Sequence, residues 1–310
     1  MIINAWSDVF KKKYGSTFPE NYLCLDTEYT GGSSEKDLVL EIGHAMVSDR
    51  KIIDGFSLVL NWYIHPEVSS PWLDYKLNNL RNFMGKDWQL TPDFLKSRGR
   101  DPIESLRFYY KLFCTWGDSG GMFVGQNGLT ADERMISGAF QRFLGKSWKF
   151  PENQYLDTGA IFKATEIAKR QDLSHLHDIV LPHRSESPKE YSRRICSLRL
   201  SGLSWKLDKI IETYPVSSAM EKAARHTAGY DAELLHHVME SYRSEITEKV
   251  GQDDPQAEYR KAQAKWERDS KKAASVSAEV EDETQGRRTT PEPKQFPEPK
   301  RENKRSQRRL

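Results

Sequence analysis

The sequence has little of several things, and each scarcity closes off a class of protein. It holds only three cysteines, Cys24, Cys114 and Cys196, far apart and without a C-x-x-C pair. That excludes a disulfide-built scaffold and a thiolate zinc site, and it fits a reducing compartment. No apolar run approaches the ~18 residues of a membrane span, so no membrane partner is expected. The start, MIINAWSDVFKKKYGS, lacks the apolar core and cleavage-like end of a signal peptide, which makes the cytoplasm the expected location. No internal repeat is visible. Charge excess is missing too: 47 Lys and Arg face 45 Asp and Glu, and a net charge of +2 names no partner by itself. Apolar residues reach 37% against 30% charged over 310 residues, so part of the chain is expected to stay outside any core.

That polar excess is concentrated at one end. Residues 1–20 read as a lead-in helix, and 21–245 alternate apolar segments with turn signals as a globular domain does. Residues 246–310 carry mostly Lys, Arg, Glu, Gln, Ser and Pro, with Pro291, Pro293, Pro297 and Pro299 forbidding a regular helix near the end. Such a segment cannot bury enough apolar area to offset its ordering entropy. The expectation is a short helix around Gln256–Ser270 at most, then disorder. From Arg287 onward basic residues outnumber acidic ones. This end therefore offers a surface to nucleic acid or to a partner protein such as a polymerase, though a solvated tail without specific contacts fits equally well.

Within the domain, Tyr22–Leu25 is a short β-rich run ending at Asp26, Leu38–Val47 reads as a second strand and Ile52–Tyr63 as a third, with a polar turn at Asp49–Arg50. Short connections predict an antiparallel meander. Leu73–Phe83 and Pro102–Phe113 show helical spacing. Met122–Val124 looks like a short buried strand between glycines, and the stretch from Asp132 has a helical apolar stripe at 135, 136, 139, 140, 143 and 144. Tyr155–Leu156 predicts a last short strand, followed by a helix from Asp157 to about Lys169. Arg170–Cys196, rich in His, Arg and Ser, reads as a loop or excursion. Leu203–Thr213 and Ala223–Tyr242 read as closing helices. Strands first, then alternating helices and strands, imply a layered α/β domain.

Three acidic features stand out. Asp26-Thr27-Glu28 ends the first strand, and residues two apart on a strand project to one face. Two adjacent carboxylates repel each other and favour a hard divalent cation. Asp132 follows Gln126-Asn127-Gly128-Leu129-Thr130-Ala131 at a helix start, where a first-turn Asp stabilised by the helix dipole is the commoner explanation. His226 precedes Asp231 by five residues at the base of another helix, and a surface His beside a helix-start Asp would read the same way. Singly each is bland. Together, four carboxylates from three segments with one His meet the needs of two-metal phosphodiester hydrolysis.

In that combination the sequence resembles the DEDDh 3′→5′ exonucleases, the group of proofreading subunits, ribonuclease T and oligoribonucleases. The resemblance rests on LCLDTEYTG, VGQNGLTADERMISGAFQRF and HTAGYDAELLHHV in that order, with LVLEIGHAMV, IHPE and YLDTGAIF as accessory pieces, and covers roughly residues 20 to 245. It implies a ribonuclease H-like three-layer domain, with helices on both faces of a mixed five-stranded sheet whose first three strands are antiparallel. It implies Asp26, Glu28, Asp132 and Asp231 as ligands of two Mg²⁺ ions, replaceable by Mn²⁺, and His226 as general base. Thr27, Tyr29 and Asn127 are the implied substrate contacts, with Tyr29 placed to stack on the 3′ base. The implied activity is removal of nucleoside 5′-monophosphates from the 3′ end of single-stranded DNA or RNA. The alternative is a non-catalytic nucleic-acid or polymerase-binding module of the same fold. Asn127, five residues before Asp132, gives the spacing of oligoribonucleases rather than of proofreading subunits. Arg170–Cys196 has no counterpart in the resemblance. His175 and His177 there lack supporting ligand spacing, while Arg184, Lys189, Arg193, Arg194 and Arg199 are candidates to line a substrate path, with a solvated loop the safer reading.

Overall fold

Alternation in the first apolar run sets the sheet. In a computed structural model, which describes residues 2–14, 18–85, 88–200, 203–204, 206–213 and 227–246, the first strand β1 is Tyr22–Tyr29. It pairs antiparallel with β2 (Val39–Ser48), and β2 pairs antiparallel with β3 (Lys51–Val59). On its other side β1 runs parallel to β4 (Met122–Gly125), which runs parallel to β5 (Tyr155–Asp157). The order β3-β2-β1-β4-β5 is the mixed five-stranded sheet that the sequence implied. Asp49 and Arg50 both adopt left-handed backbone (φ 48° and 64°), the two-residue turn whose twist suits a tight hairpin.

The helices are α1 (Ile2–Tyr14), α2 (Ser70–Met84), α3 (Pro92–Arg98), α4 (Pro102–Asp118), α5 (Asp132–Ala139), α6 (Thr158–Lys169), α7 (Pro188–Ser197), α8 (Leu207–Thr213) and α9 (Ala228–Ile246). They lie on both faces of the sheet because β1 is apolar on both. Tyr22 and Cys24 join a core with α1, α6, α7 and α9, whereas Leu23 and Leu25 join one with α2, α4 and α5. Helix α1 is part of the first core: Trp6, Phe10 and Tyr14 are buried, and the Trp6 indole N–H donates to Tyr191 Oη at 3.1 Å. No helix among the described residues is long and apolar enough to cross a membrane.

Several boundaries differ from expectation for local reasons. β1 continues three residues beyond Asp26, because its polar end is still paired with β2 through Thr27–Ile42 and Glu28–Glu41. β3 stops at Val59 rather than Tyr63, since the Asn61 side chain accepts the Tyr63 N–H and starts a single helical turn at Trp62–Ile64. Helix α3 was not expected; Thr91 caps it through Phe94 N and Pro92 occupies its first turn. The larger correction is Arg170–Cys196, which is no solvated loop. Ser187 and Glu190 form a reciprocal capping box that starts α7, and Tyr191, Ser192 and Ile195 are buried. A short 3₁₀ segment spans Gln171–Leu176. The tail, with the helix expected around Gln256–Ser270, lies outside the described residues, as do Ala223–Arg225 and His226.

Candidate metal centre

The carboxylates meet at the carboxyl end of β1, where open α/β sheets present their ligand crevice. Alternation sends Asp26 and Glu28 to the α9 face and Thr27 and Tyr29 to the α5 face. Opposite Asp26 on β2 stands Gly43, and opposite Glu28 stands Glu41. Directly opposed residues share a face, so the α9 side of this corner holds three carboxylates and one position with no side chain.

That bare position seats α9. A Cβ on Gly43 would stand 2.1 Å from the Ala228 carbonyl carbon and 2.2 Å from Gly229 N, so the first turn of the helix rests directly on the strand. Glu41, only 2% exposed, fixes the same turn: its Oε2 accepts Ala228 N at 3.1 Å, the Gly229 N–H points to the same carboxylate, and Ser57 donates to its other oxygen. The carboxylate thereby caps a helix start from the neighbouring sheet, where the helix dipole favours negative charge. Asp231, in that first turn and buried, is carried to β1. Oxygens of Asp26, Glu28 and Asp231 lie within 4.8 Å of one another, the one such grouping of metal-binding side chains among the described residues.

Asp132 comes from the other layer and stands outside that trio. It opens α5, buried, and its Oδ1 accepts the Thr27 hydroxyl at 2.5 Å. The preceding turn is held by Asp157, whose Oδ2 accepts Gly128 N at 3.1 Å and the Tyr155 hydroxyl at 2.7 Å. Its Oδ1 accepts Gly159 N at 3.0 Å and Ala160 N at 3.2 Å, so one buried carboxylate caps α6 and pins the loop leading to Asp132. Asn127 turns that loop with φ 56° and accepts the Thr130 hydroxyl at 2.8 Å.

Burial first, then mutual repulsion, raises the proton affinity of the group. Asp26 is held well above its ordinary range by burial and by Asp132, Asp231, Glu28 and Glu41; Glu28 is raised by burial, Asp231, Glu41 and Asp132. Burial pushes Asp132 up to about 7, against the lowering effect of the Thr27 hydroxyl. Tyr29, half-buried, is pushed up to about 12 by burial and by Asp132, Asp26 and Glu28. A cluster of carboxylates that resists ionising together is stabilised by a hard divalent cation, and an all-oxygen donor set suits Mg²⁺ or Mn²⁺.

Other expected residues fall elsewhere. The Thr27 hydroxyl is engaged by Asp132 and buried, Tyr29 ends β1 half-buried, and Asn127 sits in the turn before α5. Lys189 is buried between Glu133 (2.9 Å), Glu152 and the Phe150 carbonyl, and Arg194 is held by Glu186, so these two serve packing of α7. His177 bonds the Arg170 carbonyl, and neither it nor His175 belongs to a ligand grouping. Glu41, Gly43 and Asp157 were missed. Glu41 carried a signal: a lone acid inside LVLEIGHAMV, an otherwise apolar strand, needs buried partners.

No family model matches the chain. A 64-residue stretch is 36% identical to the PolC-type DNA polymerase III of Clostridium perfringens (strain 13 / Type A), covering 21% of this chain and 4% of that protein. Among solved structures the chain is similar to E. coli exonuclease I in complex with a dA16 oligonucleotide (TM-score 0.48, 11% identity, 73% of this chain and 41% of that one). It is likewise similar to the same enzyme with a dT13 oligonucleotide (TM-score 0.48, 13% identity, 73% and 41%). The chain thus spans less than half of these exonuclease I chains and a small part of the polymerase.

Proposed function

We propose that the chain is a metal-dependent 3′→5′ exonuclease acting on single-stranded nucleic acid and releasing nucleoside 5′-monophosphates. The observation that carries this reading is the meeting of Asp26, Glu28 and Asp231 within 4.8 Å, with Asp132 fastened beside them by Thr27. Asp26, Glu28, Asp132 and Asp231 are the residues that hold two divalent ions, Mg²⁺ in the cell. Such ions supply charge stabilisation to the phosphoryl oxygens and lower the pKa of attacking water. The protein's part is to orient the carboxylates: Thr27 holds Asp132 and favours its ionised form against burial, and Glu41 holds the helix start that presents Asp231. His226, five residues before Asp231, is the proton acceptor in this reading, a role typically worth about 10²–10⁴-fold. Tyr29, half-buried beside the carboxylates, is the platform for the terminal base. The basic tail is the candidate contact for a polymerase or another protein, and the resemblance to a polymerase stretch is consistent with it.

The test uses 5′-labelled DNA and RNA oligonucleotides with Mg²⁺. Stepwise shortening from the 3′ end is expected, with Asp26→Ala inactive at an unchanged circular dichroism spectrum. Activity persisting in Asp26→Ala would sink the assignment, and binding without any turnover or Mn²⁺ uptake by the wild type would favour a non-catalytic module. Running both sugars side by side reads the DNA-versus-RNA preference, which depends on contacts to the 2′-OH.

A further inference from the structure

We infer that Arg134 binds a backbone phosphate of the substrate other than the one being cleaved, so that the site recognises a chain rather than a lone nucleotide; the inference rests on the nuclease reading. Arg134 follows Asp132 by two residues on α5, which places it on the opposite, exposed side of the helix. It makes no ion pair or hydrogen bond with any described residue. Residues three and four further along α5 are Ser137 and Gly138, neither of them acidic. Its neighbour Glu133 is turned to Lys189 and to Phe150 N.

The segment Thr30–Leu38 lies against this side of α5. A Cβ on Gly138 would stand 2.6 Å from Ser34, so loop and helix touch, and the Arg134 guanidinium reaches Gly32, its Nη2 lying 3.8 Å from where a Cβ would be and nothing else within 4 Å. That loop carries two acids: Asp37 is engaged by Lys76 at 2.7 Å, by Ser33 N and by Thr30, and Glu35 forms no ion pair with Arg134. The contrast with Arg142 on the same stretch of helix is informative. Arg142 donates to the Glu35 carbonyl and lies over the Phe143 ring, so it is anchored. Arg134 is an exposed cation two residues from Asp132 and has no anion of its own among the described residues.

A planar guanidinium in that position fits phosphate oxygens bidentately. Asp26, Glu28 and Asp231 lie on the α9 side of β1 and Asp132 opens α5, whereas Arg134 projects from the far side of α5 to Gly32. The cleaved phosphate belongs at the carboxylates, so the phosphate that Arg134 meets is a different one, displaced toward the Gly31–Gly32 turn.

The experiment measures binding of a fluorescein-labelled oligothymidylate across a NaCl series in EDTA, which blocks turnover. Arg134→Ala is expected to reduce the slope of log K against log[salt] by about 0.7, the value for one phosphate contact on a single strand, and Arg134→Lys to restore most of it. With Mg²⁺, the ratio of kcat/KM on the oligonucleotide to that on the p-nitrophenyl ester of thymidine 5′-monophosphate, which has one phosphate, is expected to fall about tenfold, a loss of ~1.4 kcal/mol. An unchanged slope, no binding by the wild type, or equal losses on both substrates overturns the inference. Wild type that binds but hydrolyses neither substrate refutes the nuclease reading instead, while the slope still reports on Arg134.

Discussion

The two faces of β1 deliver acidic residues to the same corner by different means. On the α9 face, attachment is backbone against backbone: Ala228 and Gly229 lie on Gly43, and Glu41 accepts their N–H groups. On the α5 face, attachment is through side chains: Thr27 reaches Asp132, and Asp157 secures the loop before it. A backbone contact tolerates no added atom, because neither partner can rotate away. A side-chain tether weakens in steps as individual hydrogen bonds are removed. Asp231 and Asp132, alike in type and burial, therefore sit on supports that fail in different ways.

Gly43→Ala should be the most damaging test of this contrast. The new methyl group would meet three backbone atoms at 2.1–2.2 Å, so α9 must lift. Overpacking ordinarily costs about 1–3 kcal/mol, and opposed by backbone the cost belongs at the upper end. At roughly 2–4 °C per kcal/mol for a domain of this size, the melting temperature should fall by about 6–12 °C. Mn²⁺ uptake, read by calorimetry, should be lost with it as Asp231 withdraws. A variant with wild-type melting and uptake would show that α9 does not dock through this position.

This asymmetry also explains what was legible from sequence. Asp26, Glu28, Asp132 and Asp231 stood out as candidates only in combination and by family resemblance, strand alternation giving the first two a common face, and the fold brings Asp26, Glu28 and Asp231 together. The sheet was readable because Tyr22–Leu25 is apolar at every position and Leu38–Val47 at nearly all, as strands buried on both faces are. The support on the α9 face was not. A glycine in a strand does not announce which helix will rest on it, since that contact joins residues 185 apart, Gly43 and Ala228. Helix α7 escaped for a different reason: its few apolar positions, Tyr191 and Ile195, are diluted by charge, although Ser187-Pro-Lys-Glu190 spelled out its capping box.

Metal removal probes both faces together, with a smaller effect than Gly43→Ala. Asp132 is raised from 3.8 to about 7, so between those values the folded state holds its proton more tightly than the unfolded chain does. The resulting stabilisation is full below pH ~4 and is lost as the pH rises through about 7. Asp26 and Glu28 are raised and add in the same direction. In EDTA the melting temperature should therefore decline from pH 5 to pH 7.5. Saturating Mg²⁺ should reverse most of the decline, since a ligand at 100 times its Kd stabilises by about 2.7 kcal/mol. Parallel melting curves with and without metal across this range would contradict the shared carboxylate centre.

The smallest effect, and the most local, belongs to Thr27→Val. Valine keeps the β-branched shape that suits β1, so melting should change by only about 1 kcal/mol or less in stability. What is lost is the 2.5 Å donor to Asp132, the hydroxyl that favours its ionised form. Asp132 should then hold its proton to higher pH, and Mn²⁺ should bind about tenfold more weakly at pH 7, as expected for a hydrogen bond to a charged group worth roughly 1.5–3 kcal/mol. At pH 8.5, where Asp132 ionises in both proteins, the gap should narrow. A pH-independent loss would mean that Thr27 acts by placing Asp132 rather than by tuning its charge, and no loss at either pH would remove Thr27 from the support of the α5 face.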